Sequence, residues 1–187
     1  MRILGRTLLT VVIASTVALS LTGIVAGCGK GAGGATTVTT GSTGGKPTTQ
    51  RVRVGEQAAV GDVRVLVPVS TLTATPARPM YPMATVSGVR PGPGETYYQA
   101  VVRIENAGQK PVRVDPRDFS AMVGRASAPL DISRSGPEAR TLLHGTSLEL
   151  ILTFVVPDGA EPDLVHHPSW LNGTLVFVGQ QKPAGAL

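Results

Sequence analysis

Aromatic side chains and cysteine are both scarce in this sequence of 187 residues. Phe, Trp and Tyr make up 4% of the chain, and Cys28 is its single cysteine. One thiol cannot form an intramolecular disulfide, so a folded domain has to be held together by core packing. Helix-forming stretches are also missing after the first segment, where valine and threonine dominate. Because a branched Cβ suits a pleated surface, this composition predicts an all-β domain.

Clustered positive charge and catalytic motifs are lacking as well. The formal net charge is +5, but Lys and Arg are dispersed without any adjacent pair, which argues against a nucleic-acid partner. The sequence has no Gly-x-Ser-x-Gly elbow, no phosphate-cradling loop and no dinucleotide fingerprint. We therefore expect a protein that is not an enzyme and that needs no cofactor.

The N-terminus has the three zones of a secretory signal peptide. Arg2 and Arg6 supply a positive start, residues 8–21 are mostly apolar, and small residues lead into Cys28. A conventional signal peptide and an uncleaved membrane anchor are the alternatives to a lipoprotein signal. A lone cysteine at the end of such an apolar zone favours the lipoprotein.

The five residues from Ile24 to Cys28, Ile-Val-Ala-Gly-Cys, resemble the bacterial lipobox. In lipobox proteins the matching cysteine receives a diacylglyceryl group, and a dedicated signal peptidase cleaves directly before it. The resemblance implies cleavage between Gly27 and Cys28, removal of residues 1–27, and fatty acids such as palmitate on the new N-terminus. Two or more acyl chains give stable anchoring. The expected location is the extracytoplasmic face of the cell membrane.

A Gly- and Thr-rich stretch follows the cysteine, and residues 28–50 are expected to form a lipidated, flexible tether. The stretch holds one Val and no other large apolar residue, so it cannot bury enough surface to offset its ordering entropy. A Gly-rich chain of about 22 residues spans roughly 26 Å root-mean-square. That length would hold a domain away from the bilayer.

Apolar and polar residues alternate in the region expected to be the folded domain, residues 51–182, before a short tail of residues 183–187. Successive strand side chains point to opposite faces, so each apolar set can line one core. About seven or eight short strands without helices predict an antiparallel, immunoglobulin-like β-sandwich, with a small barrel as the competing architecture. The predicted strands are residues 51–54, 63–69, 98–105, 112–114, 119–123, 129–132, 148–156 and 174–178.

Several residues have structural interpretations. Asn106 and Gly108 suit a tight turn, since Gly, and Asn more than most residues, tolerate positive φ. Phe119 and Phe154 are expected to fill the core between two sheets. Pro157 is expected to end a strand because it has no amide hydrogen to donate.

The same residues also resemble a known family. The strand of residues 97–108 ending in Asn-x-Gly, the Pro and short strand at 111–114, the Asp118-Phe119 pair and the late strand within 143–157 look like the DUF4352 pattern. The resemblance covers residues 52–179. That family consists largely of Gram-positive and actinobacterial lipoproteins or secreted proteins with an immunoglobulin-like sandwich and a largely undefined role. The resemblance implies a fold and a location rather than an activity. Separately, the use of 13 Arg against 4 Lys is typical of a GC-rich genome and fits an actinobacterial source.

Two groups of side chains are candidates for a site, and a Pro-rich stretch is a third candidate. His166 and His167 are weak metal-ligand candidates, because adjacent strand residues point to opposite faces and no cysteine or carboxylate cluster completes a site. Tyr81, Tyr97 and Trp170 could form an exposed binding surface, with core or edge packing as the alternative.

The Pro-rich stretch of residues 72–95 could be a lid, a binding loop or an unstructured insertion. The favoured function is a binding or scaffold module of the cell envelope, with an envelope protein or polymer as partner. The alternative is a carrier of a small ligand or a metal.

Overall fold

A computed structural model describes residues 38–40, 47–84 and 87–180, all of which belong to one compact unit that spans residues 34–187. Cys28, Gly27 and the rest of the expected signal segment lie outside the described residues, as does the expected tail. Regular structure in the described part consists of strands and two short 3-10 helices. No helix in it is long and apolar enough to cross a membrane.

The strands are numbered in chain order. They are β1 (Val38–Thr40), β2 (Thr48–Arg53), β3 (Gln57–Val60), β4 (Val63–Thr73), β5 (Glu95–Asn106), β6 (Val112–Val114), β7 (Phe119–Val123), β8 (Ala126–Ala128), β9 (Arg140–Leu142), β10 (Thr146–Pro157), β11 (Asp163–His166) and β12 (Gly173–Val178). The 3-10 helices are Pro116–Asp118 and Ile132–Arg134.

Two five-stranded sheets form the domain, with a small pairing of β6 and β9 beside them. The first sheet has the order β1-β3-β4-β5-β10, and the second has the order β2-β12-β11-β7-β8. The pairings are antiparallel except at β1–β3 and β2–β12, which are parallel. The expected all-β sandwich is confirmed, with two parallel edge pairings added to the expected antiparallel pattern.

The core lies between the two sheets and is built from alternate residues of the long strands. Tyr98, Ala100, Val102 and Ile104 of β5 are all 0% exposed. Phe119 and Phe154 are 4% and 0% exposed, which confirms them as core residues. β10 ends at Pro157 as predicted, where a residue without an amide hydrogen stops the ladder.

The outer face of the first sheet is also covered near the N-terminal end of β5. Thr153 and Val155 of β10, which alternate with the core set, are 0% and 4% exposed. Bridges from Leu130 to Phe154 and from Gly136 to Ile151 place the segment before β9 alongside the edge strand β10. On the outer face itself, the Thr153 hydroxyl donates to the Arg134 carbonyl of that segment. Period-2 alternation predicts one buried face and one wet face, and here the added layer buries part of both.

The prediction of a strand at residues 129–132 is wrong. Leu130 makes one isolated bridge, and the chain then turns into the helix Ile132–Arg134, whose first turn Asp131 caps by accepting a hydrogen bond from the Ser133 amide. The first backbone amides of a helix have no partner within the helix, and the Asp131 carboxylate provides one for the Ser133 amide. The strands β1, β3, β8, β9 and β11 were not among those predicted.

The alternation in β4 changes phase within the strand. Its pairing with β5 shifts register between Leu66 and Val69, around Pro68. Proline cannot donate to a ladder, and sheets accommodate it at such irregularities. Beyond the shift Ser70, rather than Val69, is fully buried, and its hydroxyl donates to the Gly179 carbonyl at 3.2 Å.

The tether boundary at residue 50 also needs correction. Thr48 to Gln50 pair in parallel with β12, and Val38–Thr40 pair with β3. The branched side chains of Val and Thr favour these extended conformations. The sandwich therefore includes residues that composition assigned to the tether.

Asn106 forms the predicted turn, and its side chain is completely buried. Its Nδ2 donates to the Lys110 and Leu142 carbonyls at 2.9 and 3.0 Å, and its Oδ1 accepts from the Gly108 amide at 3.0 Å. Gly108 is not among the positive-φ glycines, so the expected reason for glycine is wrong there. A Cβ at Gly108 would lie 2.6 Å from the Asp62 Cβ, and close approach is therefore the cause.

Candidate functional site

The two histidines considered as metal ligands are in different environments. His166 is 1% exposed and stacks on Phe119 with ring centroids 3.9 Å apart, whereas the His167 side chain is exposed and its Nδ1 lies 2.9 Å from the Thr174 hydroxyl. Burial, and secondarily the neighbouring His167, lowers the pKa of His166 to about 3. No group of three His, Cys, Asp or Glu side chains suited to a metal occurs among the described residues.

The three aromatic residues predicted as one binding surface do not lie together. Trp170 packs edge-on to His166 and borders a cavity that also includes Asn106, the last residue of β5. Tyr97 lies near the start of β5. Tyr97 and Asn106 are nine residues apart along β5, which corresponds to roughly 30 Å. Tyr97 is 5% exposed and Trp170 is partly buried, so that Tyr81, at 64%, is the exposed member of the three.

Tyr81 and Tyr97 belong to the end of the sandwich covered by the long loop. We define the loop face as residues 74–84 and 87–94 together with the helix Ile132–Arg134. Of the large apolar side chains that are exposed in the described domain, Leu143 lies elsewhere. The others are on the loop face: Met80 at 84%, Tyr81 at 64%, Val89 at 46% and Ile132 at 38%.

The described part of the loop is fastened to the sheet at several points. Gln99 of β5 pairs with the backbone of Ala77, accepting from its amide at 3.1 Å and donating to its carbonyl at 2.8 Å. The Met83 amide donates to the Ser135 carbonyl at 2.8 Å, and the Tyr97 hydroxyl donates to the Val89 carbonyl at 3.2 Å. Gln99 and Tyr97, on the outer face of the sheet, thus supply hydrogen-bond partners to backbone groups of the described loop that have no partner within the loop's own turns.

A buried polar network supports these contacts. Gln99 Nε2 also donates to the Thr153 hydroxyl at 2.9 Å, and that hydroxyl donates to the Arg134 carbonyl at 2.8 Å. The Thr153 amide donates to the Ser135 hydroxyl at 2.9 Å. Burying a polar group is costly unless it has a hydrogen-bond partner, and in this network the side chains of Gln99, Thr153 and Ser135 each have one.

Asp131 is the charged member of the network and is 0% exposed. Its Oδ1 accepts from the Ser133 hydroxyl at 2.7 Å, and its Oδ2 accepts from Arg134 Nη1 at 2.8 Å. A Cβ on Gly88 would collide with the Asp131 carboxylate and the Ser133 hydroxyl. Glycine at position 88 therefore permits the loop backbone to lie directly against this carboxylate.

The position of Arg134 is fixed from two sides. Its guanidinium pairs with Asp131 and lies 5.2 Å from the centre of the Tyr97 ring. Its side chain is 15% exposed, so part of it still reaches the surface. A buried carboxylate and an aromatic face together restrict a side chain that is otherwise flexible.

A cavity of about 370 Å³ opens where the loop meets the second helix. It is lined by Arg78, Pro82, Ala84, Ser87, Gly88, Arg90, Ser133 and Arg134. Sequence reasoning missed these arginines as a group. The Pro-rich stretch holding Arg78 and Arg90 could be found from composition, but their proximity to Arg134 depends on the tertiary fold.

No protein-family model matches the sequence, and neither does any curated protein. Among solved structures, the chain is similar to ycdA, a candidate lipoprotein of Bacillus subtilis, with a TM-score of 0.51 and 18% identity. That match covers 68% of this chain and 39% of the ycdA chain. This chain thus corresponds to well under half of that protein's length.

Two other solved structures are similar at a lower level. The yjhA protein of Bacillus subtilis matches with 17% identity and a TM-score of 0.47, over 64% of this chain and 81% of that one. An uncharacterized β-sandwich protein of Clostridium difficile 630 matches with 8% identity and a TM-score of 0.47, over 74% of this chain and 99% of that one. At these identities, a structural likeness concerns the fold and does not extend to activity or partners. The described chain is a β-sandwich whose loop-covered end carries its candidate site.

Proposed function

We propose that this protein is an exported, lipid-anchored binding module, without enzymatic activity, that contacts a protein or polymer of the cell envelope through its loop face. The anchor part rests on the sequence that ends at Cys28 and on its resemblance to the lipobox. The description of the ycdA protein as a candidate lipoprotein agrees with this part. Assignment of the sandwich to the DUF4352 family belongs to the same proposal and rests on the sequence resemblance.

The observation that carries the binding role is that four of the five exposed large apolar side chains of the described domain belong to the segments defined as the loop face: Met80, Tyr81, Val89 and Ile132. Single apolar side chains are normal on a protein surface, whereas their concentration in one region is typical of a contact site. Tyrosine and methionine are also residue types that interfaces favour. Because hydrogen bonds to Gln99, Ser135 and Tyr97 fasten the described loop, a partner would meet a largely preformed surface.

Site-specific photocrosslinking in intact cells tests the binding role. A photoreactive residue replaces Tyr81 in one strain and Leu143 in another. These side chains are 64% and 61% exposed, and Leu143 directly precedes the turn whose Gly145 amide donates to Asn106, at the opposite end of β5. We expect a discrete crosslinked species from position 81 and none from position 143. Equal crosslinking at both positions, or none at either, would contradict a binding role for the loop face.

A further inference from the structure

The cavity in the loop face combines positive charge with an absence of carboxylates in its lining. Arg78, Arg90 and Arg134 line it, and none of the other lining residues is acidic. Arg134 is paired with Asp131. Within residues 38–40, 47–84 and 87–180, neither Arg78 nor Arg90 forms an ion pair. The lining therefore carries two arginines, Arg78 and Arg90, that no carboxylate of the described residues neutralises.

Two other surface cavities lined by arginine differ in this respect. The cavity beside Arg51 includes Glu161 and Asp163, and the cavity beside Arg64 includes Glu105. In both, an arginine pairs with a lining carboxylate, at 3.6 Å for Arg51–Asp163 and 3.3 Å for Arg64–Glu105. Those arginines already have an anionic partner within the protein. The loop-face cavity offers arginines to an anion that comes from outside.

The cavity is also organised in advance. Asp131 and the Tyr97 ring hold the Arg134 guanidinium, and Gly88 allows the loop that carries Arg90 to lie against Asp131. Asp131 is 0% exposed, so its charge acts on Arg134 from beneath and does not face the opening. Groups that are fixed before binding lose less conformational entropy when the ligand arrives.

Size and chemistry together define the ligand. A volume of about 370 Å³ lies near the lower end of small-molecule sites. It corresponds to roughly twelve water molecules at about 30 Å³ each, so a bare phosphate ion would fill only part of it. The guanidinium fork matches phosphate oxygens, and the Ser87 and Ser133 hydroxyls suit polar groups on the remainder of the ligand. Pro82 and Ala84 are the apolar side chains in the lining, and both are small.

We propose that this cavity binds a phosphate group carried by a sugar or polyol, with Arg78, Arg90 and Arg134 contacting the phosphate oxygens. The proposal deepens the proposed binding function by naming a ligand class at the loop face, and it rests on that function for its biological meaning. The same chemistry occurs in free sugar phosphates and in polymers joined by phosphodiesters. Both sources are arms of one test.

Isothermal titration calorimetry on the full-length protein, purified in neutral detergent, tests this proposal. The probes are glucose 1-phosphate, a poly(glycerol phosphate), and glucose as the uncharged control. We expect binding of a phosphate-bearing probe, weakening as salt is raised, and no heat with glucose. Binding of glucose 1-phosphate indicates a free metabolite as ligand, and binding of only the polymer indicates an envelope polymer. Heat from glucose alone, or from no probe, overturns the proposal.

The double variant Arg78→Gln/Arg90→Gln identifies the site. Both side chains are exposed and have no ion pair in the described part of the chain, so the variant is expected to fold with an unchanged Tm. We expect at least a tenfold weaker affinity for the phosphate probe. Arg125→Gln, an exposed change beside the turn between β7 and β8 in the second sheet, is the matched control and should bind like the parent protein. Equal affinity in the double variant and the parent would overturn the assignment.

This titration and the crosslinking experiment can fail separately. If no phosphate probe binds but position 81 still gives a crosslink, the proposed ligand class is refuted and the proposed function stands. Phosphate binding without any crosslink would retain the ligand site and remove the envelope contact.

Discussion

Replacement of His166 by Phe should make the domain more resistant to acid. The His166 ring is 1% exposed, stacks on Phe119 and has Trp170 at its edge, and its Nδ1 has no hydrogen-bond partner among the described residues. Burial lowers the pKa of His166 to about 3, from an ordinary value of 6.5. Phe keeps the apolar stack and removes the group that titrates.

The sign of the effect follows from the proton balance. Between these two pKa values the unfolded chain binds a proton at residue 166, and the folded chain does not. The stability that His166 contributes as a neutral ring is therefore complete above pH 6.5 and is lost as the pH falls toward 3. At pH 4.5 the difference from the ordinary pKa is two units, which corresponds to about 3 kcal/mol of lost stability.

Urea unfolding at pH 7.5 and pH 4.5 measures this effect. The gain in unfolding free energy of His166→Phe over the parent protein should be greater at pH 4.5 by about 3 kcal/mol. His167→Gln, a change at the adjacent exposed ring, is the control; it removes only the lesser cause of the lowered pKa of His166 and should keep most of the acid sensitivity of the parent. The reasoning is refuted if His166→Phe changes stability by the same amount at both pH values.

Three further substitutions test the packing. Gly88→Ala should lower stability by about 1–3 kcal/mol in thermal unfolding because its Cβ meets the Asp131 carboxylate, whereas Gly92→Ala, where the nearest atom is 3.4 Å away, should be nearly neutral; similar losses in both would argue against the close approach. Asn106→Ala, which removes two buried hydrogen bonds and one part-buried one, should cost about 2–4 kcal/mol in urea unfolding, and a loss below 1 kcal/mol would contradict its role. Phe154→Ala should cost about 3–5 kcal/mol in the same assay, and a cost near zero would place Phe154 outside the core.

The strands that the sequence predicts well are those in which every second residue is apolar and faces the same core. β5 and β10 pair along their full lengths, and their inward sets match the predicted ones. The alternation is misleading at Thr153, because it predicts an exposed side chain, whereas Thr153 is 0% exposed and its hydroxyl bonds to Gln99 and to the Arg134 carbonyl. It also failed at Val69, since the register shift around Pro68 is a property of the pairing between two strands.

The candidate site could be predicted only in part. Composition marked residues 72–95 as unusual, and that stretch does carry Tyr81, Arg78 and Arg90. Arg134 joins them through a salt bridge to a buried carboxylate, and no local pattern indicates that contact. Residue type groups Trp170 with the tyrosines, but residue type does not specify at which end of the sandwich a side chain lies.

The proposed place of this protein in the cell depends on Cys28, and the mass of the native N-terminus tests that most directly. The protein is extracted from the membrane fraction of its own organism and digested, and the N-terminal peptide is analysed by mass spectrometry. We expect a peptide that begins at Cys28 and carries a diacylglyceryl group on its sulfur. An unmodified thiol at Cys28, or a peptide that retains Met1, would contradict the account.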